Sequence, residues 1–356
     1  MYDDSVDQNQ VNKKEFTKMK IGICGAGSWA IALAVLLRGR GHSLTMWEFS
    51  KKDADMLQND RTHPVKLPGV IIPDDIRISN NIADAVTDVE LVILAVPSQT
   101  MRSTLTTLAK IVDSKTLDTI KGWIIVSKGI EINTLKLMTD LTVELIPGVT
   151  LDKVVVLSGP SHAEEVARNV PTTVVAASVN QELALLVQSE FSTEAFRIYT
   201  HHDVRGVELA ASVKNVIALA AGICDGLGLG DNTKGALLTR GMVEMTRLGK
   251  KMGADETTFS GLAGYGDLIT TCISRHSRNR NVGELIGQGL TLEQAVAKIP
   301  MVAEGVETTR SVYALAQKLG IEMPITQEVY KTLFEGKAAK AATKDLMLRD
   351  LKPERV

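Results

Sequence analysis

Lys214 sits in ELAASVKNVIALAAGIC, a run that is small and apolar on nearly every helical face. An ammonium group placed there sheds water on folding, which lowers its pKa toward the range where lysine both donates and accepts protons. The plain alternative is a lysine that snorkels to the surface or answers a carboxylate such as Glu208. Asn215 puts a second polar group in the same apolar run and weakens that alternative. Lys128 is the next candidate. It follows the β-branched run WIIVS, where an open α/β sheet holds its ligands, although an ordinary loop lysine fits there equally well.

The stretch GLAGYGDLITTCISRHSRNR gathers Asp267, Thr270, Thr271, Ser277, Arg278, Asn279 and Arg280. Hydroxyl, amide and guanidinium groups packed this closely suit a phosphate or another oxyanion; a basic surface loop before a helix is the competing reading. Gly159-Pro160-Ser161 lies between an apolar run at Val154–Leu157 and a helix expected over His162–Arg168. Its N–H groups and hydroxyl can bind a ligand oxygen, or Ser161 is simply an N-cap. His63, His162, His201, His202 and His276 show no metal-ligand spacing, so no metal is indicated. Met242, Met245 and Met252 recur at helical spacing and read as core.

Residues 21–37, IGICGAGSWAIALAVLL, run from a β-prone segment through a glycine turn into an apolar helix. A dinucleotide pyrophosphate needs that order. Gly25 permits the tight turn, Ala26 continues it, Gly27 lets backbone approach the phosphates, and the helix from Ser28 aims its N-terminal N–H groups at them. Ala30 fills the third, small position of the fingerprint, and Glu48 lies 21 residues beyond Gly27. The cofactor is NAD or NADP. Glu48 can accept from a ribose 2′-OH and would repel a 2′-phosphate, whereas Lys51 and Lys52 are near enough to compensate; on balance NAD is favoured.

The elements that position these groups alternate in the first half. Strands are predicted at Lys20–Cys24, Ser43–Trp47, Leu91–Val96, Trp123–Ser127 and Val154–Leu157, with a helix at Ser28–Arg38. Uninterrupted β-branched runs predict strands buried on both faces of a parallel sheet, with Pro97, Lys128 and Gly159 at the strand C-termini. A helix follows over 203–224 with Asp203 as N-cap, and then only helical segments split by glycine clusters. The fold class is therefore α/β: a Rossmann-like doubly wound sheet over residues 19–200, followed by an all-α domain over 201–350. Residues 1–18 read as a disordered polar leader.

Among the 356 residues, 44% are hydrophobic and 23% charged, and the net charge of −2 gives no bulk attraction to nucleic acid or anionic membrane. No stretch of 18 uncharged apolar residues suggests a bilayer span. Three scattered cysteines without a CxxC pair fit a reducing cytoplasm.

The strings GAGSW (25–29), AVPSQ (95–99), SKGIE (127–131), SGPSHAEEV (158–166), SVKNV (212–216), GLAGYGDL (261–268), SRNR (277–280) and VAEGVET (302–308) together resemble the bacterial-type NAD(P)-dependent glycerol-3-phosphate dehydrogenases. The similarity runs from about Met19 to about residue 345. It implies reversible reduction of dihydroxyacetone phosphate to sn-glycerol 3-phosphate for glycerophospholipid synthesis, and a homodimer. It also implies roles. Lys214 looks like the proton-transferring lysine and Lys128 like a second lysine touching cofactor and substrate. Gly159, Ser161, Asp267, Ser277, Arg278 and Asn279 look like substrate contacts, and Ser28, Trp29, Ala163, Arg278, Val302 and Glu304 like cofactor contacts. The chain departs from the family in three places. Ala30-Ile31 replaces Gly-Thr, Lys66 replaces an aromatic before Leu-Pro, and Glu48-Phe49 stands where a basic residue is frequent.

On this reading Lys214 transfers the proton and Lys128 polarises or positions the substrate. Asn215, Asp267 and Thr271 form a hydrogen-bonded shell that orients the lysines, while Arg278 and Asn279 hold the phosphate. Two rivals remain: a related hydroxyacid or sugar-acid dehydrogenase, and a non-catalytic NADH sensor.

Overall fold

The computed structural model describes residues 18–351 and 353–354. The expected leader, 1–18, lies outside the described residues except for its last position. Eight strands form one sheet: β1 (Lys20–Cys24), β2 (Ser43–Trp47), β3 (Arg77–Ser79), β4 (Leu91–Leu94), β5 (Gly122–Ile125), β6 (Val154–Ser158), β7 (Thr172–Ala177) and β8 (Phe196–His201). Their spatial order is β3-β2-β1-β4-β5-β6-β7-β8. In β1, Ile21 faces Leu44 of β2 on one side and Leu91 of β4 on the other, both parallel. The chain thus leaves β1 in both directions, which opens a crevice at the strand C-termini.

Both-face burial explains the continuous apolar runs. Ile21, Ile23, Leu91, Ile93, Ile124, Val155 and Leu157 enter one apolar cluster. The alternate residues Cys24, Val92, Leu94, Trp123, Ile125, Val154 and Val156 enter a second on the opposite face.

Two features differ from the sequence reading. β7 runs antiparallel to β6, with Leu157 opposite Ala176. The only helix between them, Ala163–Val166, has 4 residues. It rises about 6 Å, against about 17 Å for a five-residue strand, so it does not carry the chain back to the other end. The strands β3, β7 and β8 were also not anticipated. β3 has 3 residues, and β8 exposes Arg197 and Tyr199 at the sheet edge, so neither shows the buried-strand pattern.

Beyond β8, Asp203 caps the long helix Val204–Gly226 by accepting from Gly206 N–H at 2.9 Å. This helix is apolar enough to cross a membrane, with a mean hydropathy of 1.6 over its best window, yet that window is entirely buried inside the protein. It is the core helix of the second half, and the helices Gly230–Lys251, Asp267–Ile273, Arg278–Gly287 and Glu304–Leu319 pack around it. Its crossing with Arg278–Gly287 is very close: a Cβ on Gly222 would lie 1.9 Å from Arg280 O, and one on Gly283 would lie 2.1 Å from Leu219 O. Glycine at both positions lets the two backbones touch, which sets Asn279 beside Asn215. Met245 is fully buried there, with Met242 and Met252 packed at the margin of the same core.

Candidate active site

The core helix packs against β6 and β7 and carries Lys214 to the C-terminal side of the sheet. Its ammonium, 5% exposed, donates to Asp267 Oδ1 and Thr271 Oγ1, each at 2.6 Å. Asp267 and Thr271 are one turn apart on the helix Asp267–Ile273, and the Thr271 hydroxyl also donates to Asp267 Oδ1 at 3.2 Å. The other carboxylate oxygen, Oδ2, accepts from Lys128 Nζ at 2.8 Å. Lys128 comes from the turn after β5 and reaches Gly159 O, after β6, at 3.4 Å. A glycine-rich π-helical turn, Leu262–Gly266, leads into Asp267; such irregular turns recur at functional sites.

One carboxylate therefore serves two ammonium groups and leaves an excess positive charge. Burial lowers the Lys214 pKa to about 8; Asp267 opposes this and Lys128 adds to it. Burial pushes the Asp267 carboxyl upward, but Lys128 and Lys214 outweigh it and hold the group below its ordinary range. Lys214 does not answer Glu208. That carboxyl accepts instead from Thr139 N–H at 3.0 Å and from the Thr139 hydroxyl at 2.5 Å.

Asn215 is close by but does not touch either lysine, contrary to the orienting role expected of it. Its Oδ1 accepts from Asn279 Nδ2 at 2.9 Å, and Asn279 Oδ1 accepts from Gly305 N–H at 2.8 Å. The pair joins three helices beside the lysines. Ser277 caps the helix Arg278–Gly287, accepting from Arg280 N–H at 3.2 Å. The half-buried Arg278 donates to Val302 O at 3.0 Å. Burial lowers its pKa, though a guanidinium stays charged. Ser161 is not the N-cap: its hydroxyl donates to Gly159 O at 2.9 Å, and His162 precedes the short helix that Ala163 opens.

The sequence reading weighed His162 only as a metal ligand and as the start of a helix, and not as a neighbour of Lys214. Burial lowers its pKa, and the nearby Lys214 lowers it further. Its Nε2 and the Ser158 hydroxyl are buried without partners among the described residues. The signal was present in SGPSH, but a lone histidine without metal spacing carries little weight until its neighbours are known.

The glycine turn follows β1. Gly25 has φ +121°, and a Cβ on it would lie 2.7 Å from Ala95 O, so only glycine fits. Ala26 is buried beneath the turn. Gly27 precedes the helix Ser28–Gly39 with no side-chain cap, and the space a Cβ would occupy there is open. A pyrophosphate fits such an uncapped N-terminus. Ser28 is buried; its hydroxyl donates to the Lys66 carbonyl and to Met301 Sδ, the latter at 3.1 Å. Trp29 packs on the core with its ring 6.3 Å from Phe196, whereas Phe49 is 82% exposed. Glu48 Oε1 accepts from Ser50 N–H at 3.0 Å, and Oε2 lies 2.8 Å from Lys66 Nζ. Lys51 and Lys52 were expected to compensate Glu48, but the cation that pairs with it is Lys66, and Lys51 pairs with Asp55 at 2.6 Å.

Glu304 anchors the turn after β4, accepting from Ser98 N–H at 3.0 Å and from the Ser98 hydroxyl at 2.5 Å. Its carboxylate is committed to Ser98 and holds that turn. Val302 is half exposed, and its carbonyl is the one that accepts from Arg278. Among the described residues no group of three His, Cys, Asp or Glu side chains could hold a metal.

Residues 20–184 match the family model for the NAD-dependent glycerol-3-phosphate dehydrogenase N-terminus, and residues 203–344 match that for the C-terminus. A glycerol-3-phosphate dehydrogenase (NAD(P)+) of Chlorobium limicola is 49% identical over 94% of this chain and 99% of its own length. The enzyme of that name from Fusobacterium nucleatum subsp. nucleatum is 47% identical over 94% and 98%. A crystal structure of glycerol-3-phosphate dehydrogenase from Coxiella burnetii superposes with a TM-score of 0.88 at 35% identity, over 93% of this chain and 99% of that one. Matched by both family models over most of its length and nearly half identical to these relatives, the chain belongs to the NAD(P)-dependent glycerol-3-phosphate dehydrogenase family.

Proposed function

We propose that this chain catalyses reversible reduction of dihydroxyacetone phosphate to sn-glycerol 3-phosphate with NADH or NADPH, supplying glycerophospholipid synthesis. The observation that carries the reading is Lys214, desolvated yet held by Asp267 and Thr271. The dihydronicotinamide supplies hydride when bound. As hydride reaches the ketone carbon, charge grows on the carbonyl oxygen, and Lys214 Nζ stabilises and protonates it. In oxidation the neutral amine accepts the hydroxyl proton. Asp267 fixes the amine in place and Lys128 adds positive charge beside the substrate.

The Arg278 guanidinium and the remaining N–H of Asn279 hold the phosphate, and Gly159, Ser161 and Ser277 shape the pocket around it. That grip presses the ketone toward the cofactor. The reading divides the chain into a cofactor part over 19–200 and a substrate part over 201–350, working as a homodimer in the cytoplasm. Three free, buried cysteines support a reducing compartment.

Mixing purified protein with NADH and dihydroxyacetone phosphate tests the reading: NADH absorbance falls. An unchanged signal with this ketone, alongside turnover of a 2-keto acid, would transfer the chain to the hydroxyacid dehydrogenases. A sensor would turn over neither, and has no use for a desolvated lysine.

A further inference from the structure

Beyond the cofactor turn, two acids and one lysine form a compact cluster just past the C-terminus of β2. Lys66 Nζ lies 2.8 Å from Glu48 Oε2 and 3.2 Å from Asp53 Oδ2. The side chains are 19%, 11% and 30% exposed, so water screens them only partly. The Lys66 backbone is fixed as well. Its carbonyl accepts from the hydroxyl of Ser28, the first residue of the cofactor helix, and its N–H donates to His63 Nδ1 at 3.1 Å. One residue thus ties the pyrophosphate end of the turn to the acid at the ribose end.

An acid past the second strand normally selects NAD, because it accepts from the 2′-OH and its charge repels a 2′-phosphate. Here an ammonium, shared with Asp53, contacts that acid, so the cluster carries one net negative charge rather than two and part of the repulsion is cancelled at its source. A group seated against Glu48 also comes within reach of the same ammonium. Lys51 and Lys52 do not supply this effect: Lys51 pairs with Asp55, and both are exposed.

We propose that Lys66 is the specificity-determining residue that lets this chain accept NADPH beside NADH. The proposal rests on the glycine turn being the dinucleotide site, and not on the identity of the ketone.

The test is binding of NADH and NADPH to the full chain by isothermal titration calorimetry, with no ketone present. In Lys66→Met the ratio Kd(NADPH)/Kd(NADH) rises about tenfold or more. In Glu48→Gln it falls about threefold or more. In Lys51→Met it stays within about twofold of the parent. Lys66→Arg, which keeps the charge, retains the parent ratio and guards against a loss of folding in Lys66→Met. A ratio unmoved in folded Lys66→Met overturns the proposal while leaving the dinucleotide site intact. Failure of the parent chain to bind either dinucleotide overturns both.

Discussion

Lys214 and Asp267 form an ion pair 2.6 Å long whose side chains are 5% and 3% exposed. A buried pair is costly to assemble, and removing one partner strands the other. Because Lys128 shares the carboxylate, the three groups together carry a net positive charge.

Lys214→Ala removes the proton donor and the charge that stabilises the developing alkoxide. Turnover falls about 10²- to 10⁴-fold, while NADH affinity, measured by calorimetry, changes less than about twofold because the dinucleotide turn lies elsewhere. Unchanged turnover overturns the role of Lys214.

The pH dependence should mirror the direction of reaction. With Lys214 lowered to about 8, glycerol 3-phosphate oxidation rises with pH through that value, since the neutral amine is the base. Ketone reduction falls over the same range, since the ammonium is the acid. Stability follows the same titration. Between about 8 and the ordinary 10.5 the unfolded chain binds more protons, so stability rises with pH across that window. Lys214→Met flattens that part of a denaturation profile.

Asp267→Asn removes the interaction that opposes desolvation of Lys214. The limb of the pH–rate profile assigned to Lys214 moves to lower pH by about one unit or more, and turnover drops with it. A limb that stays near pH 8 would show that a different group titrates.

Arg278→Ala removes the guanidinium assigned to the phosphate. KM for dihydroxyacetone phosphate rises about 10- to 100-fold, as for loss of a charge-assisted hydrogen bond. Unphosphorylated dihydroxyacetone, a poor substrate for both proteins, shows no comparable change. Equal losses on the two ketones would remove Arg278 from phosphate binding.

Glu208 is fully buried, and burial raises its carboxyl to about 7 against the Thr139 hydrogen bonds. A raised carboxyl stabilises the fold below its unfolded pKa, and that contribution is lost as pH climbs through about 7. Glu208→Gln should therefore flatten the change in Tm between about pH 5 and 7, read by thermal denaturation. A profile as steep as the parent's would assign that pH dependence to other groups.

The glycine turn was legible because its requirements are local. A strand, a positive φ at Gly25 and an uncapped helix start are all encoded within a dozen neighbouring residues. Lys214 stood out for a similar reason, since a cation in an apolar helix is anomalous on its own. β8 was not legible, because an edge strand with Arg197 and Tyr199 facing solvent carries no buried run. The direction of β7 was hidden too, as it depends on how a short connection packs rather than on composition.

The amino-acid sequence by itself determined the cofactor turn, the α/β-then-α order and which residue types could transfer a proton or grip a phosphate, because each depends on short-range backbone preference or on burial pattern. The tertiary structure alone decided the pairings. Asp267 rather than Glu208 meets Lys214, Asn279 rather than a lysine meets Asn215, and Lys66 rather than Lys51 meets Glu48. Those partners are 18 to 64 residues apart in the chain or on separate elements. An interaction that falls off over a few ångströms is set by how helices and strands pack, and that distance is not written in the order of the residues.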